Sequence, residues 1–446
     1  MKKFTEQLAD WVVENPVINH PKAREFAGHA FLDTIPCLIA GQDDPATNVV
    51  RKTALQFGEG RCFVIGSDVQ LSAPSAALVN AVSAHALDYD DNYLPAITHP
   101  SAVLVPALLA IADENEVMSE NLLDAFIVGT EIQAQIGKRV NPLHYEKGWH
   151  STSTLGVIGC AAACAHLLKL NKEQVLNAIS ISVSMASGTK KQFGTLAKPY
   201  HAGMAAQNGV TAAYLARNGL DACAEPVTGD WGFIDLYNQD ASDKAGNLFD
   251  EKLAIVRVGL LPKRFPCCGS THRTLDGILE LMQEHELTAD SIGKVETVVS
   301  KTNYDNLKYT EPVTESEARF SMHYCAAVLV NTGKLSLSDF TLDAVNQKPE
   351  IREWLSRVEM TKTKERSKNS FPPHHITMHL KNGEILKKSV AHSKGALEKP
   401  FDAEDRKNKF DDCVSGYLNA DDRDALYDAL SRVALASVTK YFSPSA

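Results

Sequence analysis

Between His85 and Ser101 the chain reads HALDYDDNYLPAITHPS, which crowds the carboxylates of Asp88, Asp90 and Asp91 against the imidazoles of His85 and His99. Imidazole is the side chain whose charge changes near neutral pH, so His99 is a candidate proton carrier, held extended or in a turn by the following Pro100. The flanking sequence is apolar and helical in pattern. Polar groups set between buried helices are costly without partners, which makes this loop the first candidate for an active site. Oxygen ligands at alternate positions suit a divalent cation, but the calcium-hand spacing is absent and so is H-E-x-x-H. The acids are better read as groups that cap a helix or hold a neighbouring His or Lys, and no metal is expected.

Three further loops carry compatible chemistry. Asn141 to Ser151 holds His144, Tyr145, Lys147 and His150, a mixture suited to proton transfer or carboxylate binding. Tyr145 alone is equally well an aromatic wedge with a hydrogen-bonded hydroxyl. Lys190 to His201 ends in LAKPYHAG, with Lys198 before Pro199, and LPKRFPCCGSTH carries Lys263 and Arg264. These lysines are candidate anion anchors, although most lysines are simply solvated. No G-x-x-x-x-G-K-[ST], dinucleotide glycine fingerprint or G-x-S-x-G elbow stands in its required context, which leaves acid/base chemistry without a cofactor.

Helices must position these loops. Apolar periodicity predicts two packed helices within Phe4 to Ala40, then helices at Ser75–Ala86, Ala102–Ala112, Asn121–Gly137 and Met204–Ala216. The run TSTLGVIGCAAACAHLLKL reads as a central helix whose small residues let neighbours approach closely, and Asn171 with Gln174 as a capping-box start. Cys62 to Ile65 is a possible short strand. Core helices alternate with polar loops, so loops distant in sequence can converge at one end of a bundle.

From Leu253 the character changes. Strand-like runs occur at Val295–Ser300, Val358–Lys362, Ile376–Leu380 and Ile385–Val390, the last two joined by the hairpin signal Asn382-Gly383. A helix over Glu315–Val330 carries Arg319, His323 and Tyr324, and the helical pattern returns from Phe401. The expected fold is mainly α with an α+β part: a large all-helical domain of residues 1–265 and 401–446, discontinuous in sequence, with a smaller α+β lid domain of residues 266–400 inserted.

At 446 residues the chain is too long for one ordinary core. A net charge of -10 without clustered Lys and Arg argues against nucleic acid as a partner, while a local basic pocket can still capture a carboxylate. No apolar run approaches membrane-spanning length. Nine cysteines without metal-ligand spacing, and no secretory leader after Met1-Lys2-Lys3, point to a reduced, cytoplasmic setting in which the cysteines are small core residues.

Four stretches, HALDYDDNYLPAITHPS, GWHSTSTLG at Gly148–Gly156, AKPYHAG at Ala197–Gly203 and KRFPCCGSTH at Lys263–His272, together resemble the MmgE/PrpD family in order and spacing across almost the whole chain. The resemblance implies a helical domain with an α+β lid, a homodimer, no cofactor, a small polycarboxylate substrate and a site at the domain interface. It assigns Tyr145, His99, His150 and Lys198 to catalysis, and Asp88, Asn92, Lys263, His201 and Tyr324 to substrate binding. Within the family, length and the HYEKGWH loop are most like the members that epimerise iminodisuccinate by removing and returning a proton alpha to a carboxylate. The alternative is a lyase, as in 2-methylcitrate dehydratase or cis-aconitate decarboxylase; Asn92 stands where decarboxylase-like members carry Thr. Each of these reactions needs proton carriers and cations for the developing negative charge.

Overall fold

The computed structural model describes residues 2–14, 20–115, 119–237, 248–250, 252–363, 372–434 and 438–442. Its helices of ten residues or more are α1 (Phe4–Glu14), α2 (Pro21–Ala40), α3 (Pro45–Ala54), α4 (Ala73–Ala86), α5 (Pro100–Asn115), α6 (Ser119–Val140), α7 (Gly156–Leu167), α8 (Lys172–Val183), α9 (Ala197–Arg217), α10 (Gly269–Glu284), α11 (Met322–Thr332), α12 (Ala403–Val414) and α13 (Ala420–Ser431). The strands are β1 (Ile292–Val299), β2 (Val358–Lys362), β3 (His374–Leu380) and β4 (Ile385–Val390).

α4, α5 and α7 have no polar face, and each is buried along nearly its whole length, as helices apolar all round must be. Small residues set their separations. A Cβ added at Gly203 of α9 would lie 2.5 Å from Val82 Cγ2 and 2.7 Å from the Leu78 carbonyl oxygen of α4, and one at Gly209 would lie 2.5 Å from Cys160 Sγ of α7. The backbones therefore meet where side chains are missing. α12 and α13 pack on α2, adding Phe410, Cys413, Leu426 and Leu430 to the core that holds Phe31 and Ile35. Lys409 of α12 pairs with Asp33 at 2.7 Å beneath that contact.

A second core lies under α10, α11 and a sheet of order β2-β1-β3-β4. β1 runs parallel to β2 and antiparallel to β3, which is antiparallel to β4. Val295, Thr297 and Val299 alternate with less buried residues along β1, as do Ile376, Met378 and Leu380 along β3. That period of two is what a sheet with one packed face requires. Gly383 adopts φ 92° in the β3–β4 hairpin, the conformation for which Asn-Gly is suited.

The fold is thus mainly α with an α+β part, as expected, but several elements differ from the sequence reading. The helix expected from Met204 begins at Ala197, because a proline is tolerated in a first helical turn; Lys198 and His201 therefore ride on α9. The single helix expected over Glu315–Val330 is broken. Ser321 leaves helical geometry at φ -116° and its side chain accepts from the Tyr324 N–H, starting α11 anew. Cys62–Ile65 forms only an isolated bridge, Cys62 with Leu71. The Asn171/Gln174 capping box is present. Among the described residues no helix is long and apolar enough to cross a membrane.

Candidate active site

Where α4 ends, Asp88 adopts φ 52°, a left-handed conformation uncommon outside glycine, and its carboxylate lies buried between the two cores. Asp88 Oδ1 accepts from Lys198 Nζ at 2.6 Å and from Lys263 Nζ at 2.9 Å, and Lys263 also donates to the Asp88 carbonyl oxygen at 2.7 Å. Burial opposes the charge on Asp88, but the two ammonium groups outweigh it and hold the carboxyl well below the usual range. Burial dominates at Lys198 and lowers it. At Lys263 burial also acts downward, yet Asp88 and Asp90 together raise it. The two lysines diverge because at Lys198 the neighbouring Lys263 ammonium adds to the effect of burial, whereas at Lys263 the Asp88 and Asp90 carboxylates outweigh burial. Two ammonium groups and the Asp88 carboxylate face the cavity, while the Asp90 carboxylate, held below its ordinary range, acts on both lysines without lining it.

His99 lies 2.8 Å through Nδ1 from the Asp91 carbonyl oxygen, which can only accept; Nδ1 therefore carries the proton and Nε2 is the free base. Burial and then Lys263 lower His99, while Asp90, with Oδ2 at 3.4 Å, opposes them. The same Asp90 oxygen is 2.8 Å from His85 Nδ1, and burial lowers His85 to about 3, so that ring is neutral. His150 and His201 meet Nδ1 to Nδ1 at 2.9 Å, which requires one ring to donate and the other to accept. Burial drives both down, His150 far below its ordinary value and His201 to about 4. The Tyr145 hydroxyl accepts from Asn306 Nδ2 at 3.2 Å, and Lys190 Nζ stands 3.8 Å from the ring centroid. Burial pushes the phenol up, so Tyr145 keeps its proton and serves as a donor.

These groups surround a cavity of ≈ 110 Å³. Asp88, Asn92, His99, Tyr145, His150, Lys198 and Lys263 are on its walls, with Phe193 and Phe320 as apolar panels. His201 stands behind His150. Tyr324 corrects the expectation: it is buried in the second core, its hydroxyl donating to the Asp339 carbonyl and its ring against Phe340, away from the cavity lining. A helix apolar on every side gives no sign of which face meets a site. Ser270, Arg273, Asn303 and Asn306 also line the cavity, outside the set to which the sequence points. Ser270 is legible only as a small residue in KRFPCCGSTH; the other three read as ordinary polar helix and turn residues. His85, Asp88, Asp90 and His99 bring one ligand atom each within 4.8 Å, near enough for a shared cation. Two ammonium groups already hold Asp88 and would repel that cation, so the four residues form an orienting set.

Asp91 turns the other way, its Oδ2 2.5 Å from Ser101 Oγ, and burial with help from Asp33 pushes it up to about 8. The folded state therefore keeps a proton that the unfolded chain releases near pH 4, so this contribution to stability is complete below about pH 4 and is lost as pH rises toward about 8. Asp91→Asn is expected to gain stability relative to the parent by up to about 1.4 kcal/mol per pH unit between about pH 5 and pH 7.5, measured by urea denaturation. A difference that does not change with pH would contradict this.

A helical core and an α+β core with a cationic acid/base cavity in the seam is the class that fold and site define. The MmgE/PrpD N-terminal domain model matches residues 6–245 and the MmgE/PrpD C-terminal domain model residues 265–432, so the chain belongs to the MmgE/PrpD family. It is 30% identical over 381 residues to cis-aconitate decarboxylase of Homo sapiens, covering 80% of this chain and 76% of that protein. The mouse cis-aconitate decarboxylase is 28% identical over 82% of this chain and 77% of its own length. The 2-methylcitrate dehydratase of Escherichia coli (strain K12) is 23% identical over 76% and 74%.

Proposed function

We propose that this chain is a lyase of small polycarboxylates, and specifically that it decarboxylates an unsaturated tricarboxylate such as cis-aconitate. The observation that carries this is the Lys198–Asp88–Lys263 arrangement on a wall shared with His99 and Tyr145. The more similar relatives cited carry the decarboxylase name and the third is a dehydratase, so the expected epimerase gives way to the lyase alternative.

In such a step the C–C bond to one carboxylate breaks, carbon dioxide leaves, and the electron pair shifts through the double bond to the carbon that takes up a proton. Lys198 and Lys263 offset the charge that develops on a neighbouring carboxylate. A bound polyanion, added to Asp90, favours the protonated form of His99. Its Nδ1–H stays on the Asp91 carbonyl and its Nε2–H is delivered to the substrate carbon. Tyr145, as a phenol, donates a hydrogen bond to a carboxylate that remains. Dehydration is the second reading, favoured by that same phenol: His99 Nε2 would take the proton alpha to a carboxylate and Tyr145 would protonate the departing hydroxyl.

Separate incubation with cis-aconitate, 2-methylcitrate and iminodisuccinate distinguishes the outcomes. Carbon dioxide release from cis-aconitate is expected. Alkene formation from 2-methylcitrate alone would select dehydration, and epimerisation alone or no reaction would reject the lyase.

A further inference from the structure

The cavity does not end at the lysines. A second space of ≈ 270 Å³ adjoins it, and the two share Leu94, Leu261, Arg273 and Ser393 as lining. Arg273 stands at that junction, one turn into α10. Its Nη1 donates to the Pro372 carbonyl oxygen at 2.7 Å, and among the described residues no carboxylate pairs with it. The other basic groups of the outer space are matched: Arg257 with Asp250 at 3.0 Å and His392 with Glu398 at 3.2 Å. Among the described residues burial is the one influence moving Arg273, and it lowers it, as expected of a cation with no anion among them to repay its lost hydration. A guanidinium offers five N–H donors in a planar fork, and Pro372 accounts for one. The rest match a carboxylate, which an arginine grips through two parallel hydrogen bonds.

Resting on the polycarboxylate reading above, we infer that Arg273 binds the substrate carboxylate farthest from the Lys198–Asp88–Lys263 cluster, so that the site selects three carboxylates over two. Lys198 and Lys263 anchor the reacting end and Arg273 the distal end, across the mouth between the inner and outer spaces. Two separated cationic positions measure a substrate's length as well as its charge. A dicarboxylate too short to span them, held on the lysines, leaves Arg273 without a partner.

Calorimetric titration of the whole chain with propane-1,2,3-tricarboxylate and with succinate, which is the same acid without one carboxymethyl arm, tests this without requiring turnover. Arg273→Gln is expected to weaken the tricarboxylate by about tenfold or more, while succinate changes by less than about threefold. Arg273→Lys, which keeps the charge but loses the planar fork, is expected to fall between, and it carries the test should the Gln variant fail to fold by thermal melting. Equal losses for both acids, or no loss for either, would overturn the role of Arg273 while leaving the polycarboxylate reading in place. A parent protein that binds neither acid would overturn that reading, and the inference with it.

Discussion

Asp88→Asn is expected to destabilise the protein by about 3–5 kcal/mol, the usual penalty for breaking a buried ion pair from one side. Lys198 is 3% exposed and Lys263 1%, so the little water that reaches them from the cavity is a poor replacement for the lost carboxylate. Asparagine preserves the shape and one oxygen acceptor but removes the charge that keeps the two cations together. Urea midpoints measure the loss, and a change below about 1 kcal/mol would remove Asp88 as the organising charge of the seam. Adding Lys263→Met to Asp88→Asn should recover part of the loss, a coupling that a double-mutant cycle reads directly. The pH dependence has a fixed sign. Because Asp88 is held below its ordinary value, its contribution is complete above about pH 4 and disappears as acid carries the pH below that range.

His99→Gln is the second large effect, this time on catalysis. The amide can still donate to the Asp91 carbonyl where Nδ1 does now, so packing should survive. The proton carried on Nε2 is lost, and kcat is expected to fall by about 10²–10⁴ with KM near the parent value. A fall of less than about tenfold would assign the proton to another group, with Tyr145 the next in line.

Much of this site is legible in the amino-acid sequence, for uneven reasons. His85 to Ser101 stands out because acids and imidazoles beside Pro95 and Pro100 are hard to account for within a core. The β3–β4 hairpin is legible because Asn382-Gly383 specifies a turn whatever the sheet around it. The meeting of Asp88 with Lys198 and Lys263, across 110 and 175 residues, is a property of helix packing that no local spacing encodes; family resemblance alone implies it. Local chemistry also misleads. Pro199 suggests a loop, yet it sits where a helix can begin, and the apolar sequence of α11 hides both the break at Ser321 and the inward turn of Tyr324. Arg273, Asn303 and Asn306 give no signal, since a polar residue on an amphipathic helix or short turn is normally solvated. Only the second core's closure over the first makes them cavity residues.

Whether a fixed group in this cavity supplies the proton is answered by turnover of cis-aconitate in deuterium oxide. If His99 delivers it, the newly formed methylene of the product carries a single deuteron on one face only, and His99→Gln makes that product at least about 100-fold more slowly. Product labelled equally on both faces, or formed by His99→Gln at the parent rate, would contradict proton delivery from His99.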